Sequence, residues 1–298
     1  MNYPIDEIFK QMTYKNRFTI FENLSVSEIV SKMTKDLTKQ LISKVDKQKY
    51  YIAKGKNVLV KKGIINFDCR EYLQHLNNLQ VIYCVYYLKN EAEYELYDRT
   101  GILNCSADYE NGNIKLSLAY VQEQPKDFKI SIRHELKHIY QYDCGAKKNV
   151  NFYETVIDRY KNGEQWEKII AWALYLSFKT EQDAFISQYY EFLKNNNISK
   201  VKLQKDDNNP YYIFDKAFDN VDNIDIDEES LKQRFGLNLT QLYSILNAAD
   251  ERLYKKMTNV WTKYVNEKKI KLPNTEEMNF LMECYHRGIH EETDDLIW

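Results

Sequence analysis

The sequence predicts an α+β fold, with helical regions on either side of a central group of short strands. Only 8 Gly and 4 Pro punctuate 298 residues, which leaves room for few tight turns and many helices. Apolar residues recur at three-to-four spacing toward both ends of the chain, as amphipathic helices require. From about residue 56 to residue 120 that period gives way to β-branched and aromatic runs, some of them strictly alternating.

Residues 1–55 read as an N-terminal helical region. Ser25-Val26-Ser27-Glu28 has the form of a capping box, and Ile29, Met33, Leu37, Leu41 and Val45 then repeat along one face. Strands are expected at Val58-Leu59-Val60, at Ile64 to Phe67 and at Val81 to Tyr87, with Arg70 to Asn77 as a short helix among them. Tyr94 to Tyr97 and Cys105 to Tyr109 continue the strand series. An Asn111-Gly112 turn then leads into Ile114, Leu116, Leu118 and Tyr120, which alternate as the second strand of a hairpin. Left as an exposed edge, that strand could hold an extended peptide by main-chain hydrogen bonds; otherwise it is an ordinary sheet strand.

Beyond it the chain reads as helical again, at about 151–160, at 164–177, and from a cap at Thr180 onward. Residues 197–229 are rich in Asn and Asp and read as a linker. The acidic run from Asp219 to Glu229 does not fit a calcium loop. With Asp225 as first ligand, Ser230 stands where Gly is needed and Gly236 where the bidentate Glu belongs, so the run reads as a solvated loop and helix cap. Residues 230–298 form a C-terminal helical region, with Leu239, Leu242, Leu246, Ala249 and Leu253 in helical register and a last helix from Thr275 to Arg287.

Composition excludes several classes. With 42 basic against 44 acidic residues and a net charge of −2, the chain lacks the basic excess of a nucleic-acid binder. No apolar run approaches the length of a membrane span and no export signal opens the chain, so no membrane partner and a cytoplasmic location are expected. Five scattered cysteines without CxxC spacing give neither a disulfide framework nor a zinc knuckle, consistent with a reducing compartment.

The chemistry is concentrated in Ser131-Ile132-Arg133-His134-Glu135-Leu136-Lys137-His138-Ile139-Tyr140, which contains His-Glu-x-x-His. Residues four apart share a helical face, so His134 and His138 can offer two imidazole nitrogens to one Zn²⁺. Glu135 beside them is placed to take a proton from a water. Ile132, Leu136 and Tyr140 form a separate stripe for the core, which keeps the ligand face free of packing duty.

A catalytic zinc takes a third protein ligand. The HExxHxxGxxH spacing would place it at Cys144, but Gln141 stands where Gly must turn the chain, and Asp143 is one residue out of register. Glu181 is the better candidate, opening a later helix in which Ala184 is small enough for close packing; Glu154, Asp158 and Glu191 are alternatives. His286 and His290 are also four apart, but Gly288 between them breaks the helix, so no second site is expected.

In this order, a sheet, a hairpin strand, the His134-Glu135-x-x-His138 helix and a later helix with Glu181-x-x-Ala184, the chain resembles zincin-like metallopeptidases of the gluzincin type. It is similar above all to small zincin-like proteins of bacteria and phages, over residues 56–196. The resemblance implies a zincin-like core with one Zn²⁺ per chain on His134, His138 and Glu181, Glu135 as general base and acid, and hydrolysis of a peptide or protein substrate. It leaves the oxyanion-stabilising residue unassigned, with Tyr140, Tyr142 and Tyr153 nearby in sequence. An alternative expectation is a catalytically inactive zincin-fold protein with a binding or structural role in a phage or regulatory complex.

Overall fold

A computed structural model of the chain describes residues 22–45, 59–122, 124–146, 150–195 and 210–268. The described residues contain nine helices and five strands, an α+β fold. They fall into two compact units, residues 22–146 and residues 150–268.

The first unit is a small mixed sheet with helices on both faces. Its elements are α1 (Glu22–Val45), β1 (Leu59–Asp68), β2 (Asn78–Leu88), α2 (Glu91–Arg99), β3 (Ser106–Asp108), β4 (Asn113–Val121), β5 (Gln124–Lys126) and α3 (Phe128–Asp143). The sheet order is β1-β2-β4-β3, with β5 also on β4. β1 runs antiparallel to β2 with Ile64 opposite Ile82, and β2 runs parallel to β4 with Val85 opposite Leu118. Among the described residues β1 is bonded on one side only.

Strand alternation decides which side chains reach the core. Leu79, Val81, Tyr83 and Val85 of β2 and Ile114, Leu116, Leu118 and Tyr120 of β4 all point to one face. There they meet Val30, Met33, Leu37, Leu41 and Val45 of α1 and Phe128, Ile132, Leu136 and Ile139 of α3. Leu136 is fully buried, so its truncation to Ala would cost roughly 2–5 kcal/mol. The opposite face carries Leu88, Ala119 and Val121 against Tyr94, Tyr97 and Leu103.

Several local expectations change in this unit. Tyr94 to Tyr97 lie in helix α2, because Asn90 caps it by accepting from the Glu93 amide at 3.0 Å while the Glu93 carboxylate accepts from the Lys89 amide at 2.7 Å. That paired cap outweighs the β-propensity of the tyrosines. Arg70 to Asn77 make turns and bends rather than a helix, since the amides of Gln74, His75 and Leu76 are drawn to Asp143 instead of to a preceding turn. Helix α1 already runs from Glu22, so the Ser25 to Glu28 box lies inside it.

The hairpin forms as expected. β3 and β4 pair antiparallel with Asp108 opposite Asn113, and Gly112 closes the turn at φ +58°. β4, however, is no free edge. β2 lies on one side of it, and β3 and β5 share the other. Between those two, the Ser117 carbonyl accepts from the Cys105 thiol at 3.7 Å. The cause is the reversal at Gln122, φ +49°, which folds the chain back as β5 with Tyr120 opposite Pro125.

The second unit is all helical: α4 (Val150–Asn162), α5 (Gln165–Ser177), α6 (Lys179–Asn195), α7 (Pro210–Asp222), α8 (Glu228–Phe235) and α9 (Leu239–Lys268). One core joins them, including Phe152, Ile170, Leu174, Tyr189, Phe214, Leu231, Leu246 and Leu253. α7 and the start of α8 lie within 197–229, the stretch that reads as a linker. The acidic run does supply a cap there, with Asp227 accepting from the Ser230 amide at 2.7 Å. α6 begins at Lys179, which places Thr180 within the helix rather than at its cap. The helix expected at Thr275 to Arg287, with His286 and His290, lies outside the described residues. No described helix is long and apolar enough to cross a membrane.

Candidate metal centre

Helix α3 carries its two functions on separate faces. Ile132, Leu136 and Ile139 are fully buried against the sheet and α1. Arg133, also fully buried, donates to the Ser31 hydroxyl and ties α3 to α1. The start of the helix is a tight one: Asp127 sits at φ +51° and its carbonyl accepts from Ile130 at 2.9 Å and Ser131 at 3.1 Å. Its carboxyl also accepts from the Tyr94 hydroxyl at 3.3 Å, and burial pushes it above the ordinary carboxylate range.

On the other face, the structure brings His134 and His138 together. Their ring centroids are 4.9 Å apart at 74°, and their Nε2 atoms face each other at 3.2 Å. With Zn–N bonds of about 2.0–2.1 Å, a tetrahedral ion spaces two nitrogens by about 3.3 Å, so this pair fits zinc. The His138 ring stacks on Tyr142 at 21° and its Nδ1 meets Gln141 Oε1 at 3.2 Å. Exposure at His134, Glu135 and His138 is 9%, 6% and 7%, low enough to strengthen any charge interaction made there. Burial first, and then the Glu135 charge, raises the Cys105 thiol well above its ordinary range.

The last turn of α3 is anchored by Asp143, which is 2% exposed. One carboxylate oxygen accepts from the Gln74 amide at 2.6 Å, and the other from His75 at 3.0 Å, Leu76 at 3.1 Å and the Tyr109 hydroxyl at 3.1 Å. Asp143 is thereby a structural acceptor. Cys144 caps the helix through its backbone amide, and burial raises its thiol.

Glu181 belongs to the second unit, in the first turn of α6, and is 1% exposed. The Tyr175 hydroxyl donates to its Oε2 at 2.6 Å, and the Tyr153 hydroxyl lies 3.5 Å from its Oε1. Ala184, one turn on, is fully buried. The neighbouring residues hold α6 to α9: Arg252 donates to Gln182 Oε1 at 2.6 Å and to the Ser177 carbonyl at 2.7 Å, and Lys256 pairs with Asp183. Burial lowers Arg252 to about 10 and also lowers Lys256, with Asp183 opposing both shifts. The alternative acids Glu154 and Asp158 are exposed on α4, where Asp158 accepts from Asn162 at 2.9 Å.

Sequence spacing finds the two histidines and Glu135 but assigns no role to Gln141 beside His138, to Asp143 at the end of their helix, or to Tyr175 on Glu181. Gln141, three residues after His138, was discoverable from helical spacing alone. Tyr175 and Asp143 had no such signal, since their roles depend on how distant segments return. Comparison with protein-family models, with curated proteins and with solved structures finds no match to this chain.

Proposed function

We propose that this protein is a metal-dependent hydrolase, and more narrowly a zincin-like metallopeptidase of the gluzincin type with one zinc per chain. The observation that carries the reading is the convergence of the His134 and His138 Nε2 atoms at 3.2 Å, with Glu135 between them in sequence. His134, His138 and Glu181 each offer one ligand atom, a His₂Glu donor set suited to a catalytic zinc. Glu181 supports the reading through its burial and through the Tyr175 hydroxyl, which holds one carboxylate oxygen.

Zinc bound there would supply Lewis acidity, polarising a peptide carbonyl and making a water more acidic. Glu135 takes the proton from that water and delivers it to the departing amine, so one carboxylate serves as base and then acid. Burial of Glu135 keeps bulk water from competing for that proton. The substrate is an extended peptide or protein segment. It is not held by a free edge of β4, because β2, β3 and β5 already flank that strand.

The test pairs metal analysis with cleavage. Protein purified without chelator should contain about one zinc per chain and should cut a mixed peptide library, and Glu135→Gln should retain zinc while losing cleavage. Absence of zinc would sink the proposal. Zinc retained by a wild type that cleaves nothing would favour instead a zincin-fold binding or structural protein.

A further inference from the structure

We infer that Gln141 is a positioning residue for His138, selecting which ring nitrogen presents its lone pair to a metal; the inference rests on the metal reading above. Gln141 Oε1 lies 3.2 Å from His138 Nδ1. The two residues are three apart, the spacing that puts side chains on one helical face. An amide oxygen can only accept, so this contact is a hydrogen bond only in the tautomer whose Nδ1 carries the proton and donates it. Nε2 is then left with its lone pair, and Nε2 is the atom that faces His134.

Two other contacts keep this geometry in place. The Tyr142 ring stacks on His138 at a centroid distance of 6.4 Å, limiting rotation of the imidazole. Asp143, two residues beyond Gln141, fixes the last turn through three backbone amides of the segment 74–76. Gln141 is a neutral acceptor where metal-bound histidines often donate to a carboxylate. It therefore orients the ring without adding negative charge beside His138. A carboxylate at the same position would accept the same proton and bind it more strongly.

The test uses the full chain, labelled with ¹⁵N at its histidines, and reads both tautomer and metal affinity. In the metal-free wild type, two-bond ¹H–¹⁵N correlations should show His138 protonated on Nδ1. In zinc titrations against a chromophoric chelator, Gln141→Leu should bind roughly 10- to 100-fold more weakly. Gln141→Glu should restore wild-type affinity or exceed it. A wild-type His138 protonated on Nε2, or a Gln141→Leu variant that binds zinc as tightly as wild type, would overturn the role of Gln141 and leave the metal reading standing. A wild type that takes up no zinc would overturn the metal reading, and this role with it.

Discussion

The Gln74 amide donates to the Asp143 carboxylate over 2.6 Å, joining the end of the histidine helix to a segment 69 residues earlier in the chain. His75 and Leu76 donate to the same side chain, so one carboxylate satisfies three successive amides. Asp143→Ala would leave those part-buried donors without their acceptor, at a cost of roughly 1–3 kcal/mol for each donor that water cannot reach. The expected outcome is accelerated hydrogen exchange at amides 74–76, together with a lower unfolding midpoint. Unchanged exchange at these amides would show that the contact is not retained in solution.

Glu135→Gln preserves shape and removes the proposed base. On the proposed function, peptide cleavage should fall at least about 100-fold while zinc content stays at the wild-type level. Steady-state cleavage of a quenched fluorescent peptide, measured beside elemental analysis of the same preparation, separates lost chemistry from lost metal.

Glu181 and Tyr175 should differ in degree. Glu181→Ala removes a proposed ligand and should reduce zinc affinity far more than Tyr175→Phe, which removes only the 2.6 Å hydrogen bond to the carboxylate. The expected loss for Tyr175→Phe is roughly 10- to 100-fold. Chelator competition on the two variants gives the order, and equal losses would contradict it.

A pH prediction comes from the end of β1, where Asp68 is the last residue. The Arg70 guanidinium, hydrogen-bonded to Asp68, lowers that carboxyl from 3.8 to about 2. A lowered folded value means the folded state binds this proton less readily than the unfolded chain. The stabilising contribution is therefore complete above 3.8 and disappears as pH falls through about 2. The side chain resonance of Asp68 should titrate near the lower value in the wild type and return toward the higher one in Arg70→Ala. A midpoint unmoved by that substitution would rule out the pairing.

What the sequence made legible is what local periodicity controls. His134 and His138 were readable because four residues make about one helical turn, and Ile132 and Leu136 because the buried stripe obeys the same period. Misreadings arose where a cap or a distant partner outweighed composition. The tyrosines of α2 have strand propensity, yet Asn90 and Glu93 start a helix there. Helix α7 was hidden by Asn- and Asp-rich flanks, although Phe214, Ala217 and Val221 sit at helical spacing and are buried. The interior place of β4 depends on the turn at Gln122 and on Cys105 reaching Ser117, neither of which a linear pattern encodes.

The one-sided pairing of β1 has a bearing on solution behaviour. Among the described residues one edge of β1 has no partner strand, and such an edge is a template for another chain; Ile64, 61% exposed, adds an apolar side chain there. Lys62, exposed and two residues before Ile64, shares its face of the strand, whereas the Lys61 ammonium donates to the Val45 carbonyl at the end of α1. Two copies approaching edge to edge would bring their Lys62 ammonium groups to the same side as the exposed isoleucines, a charge that opposes such pairing.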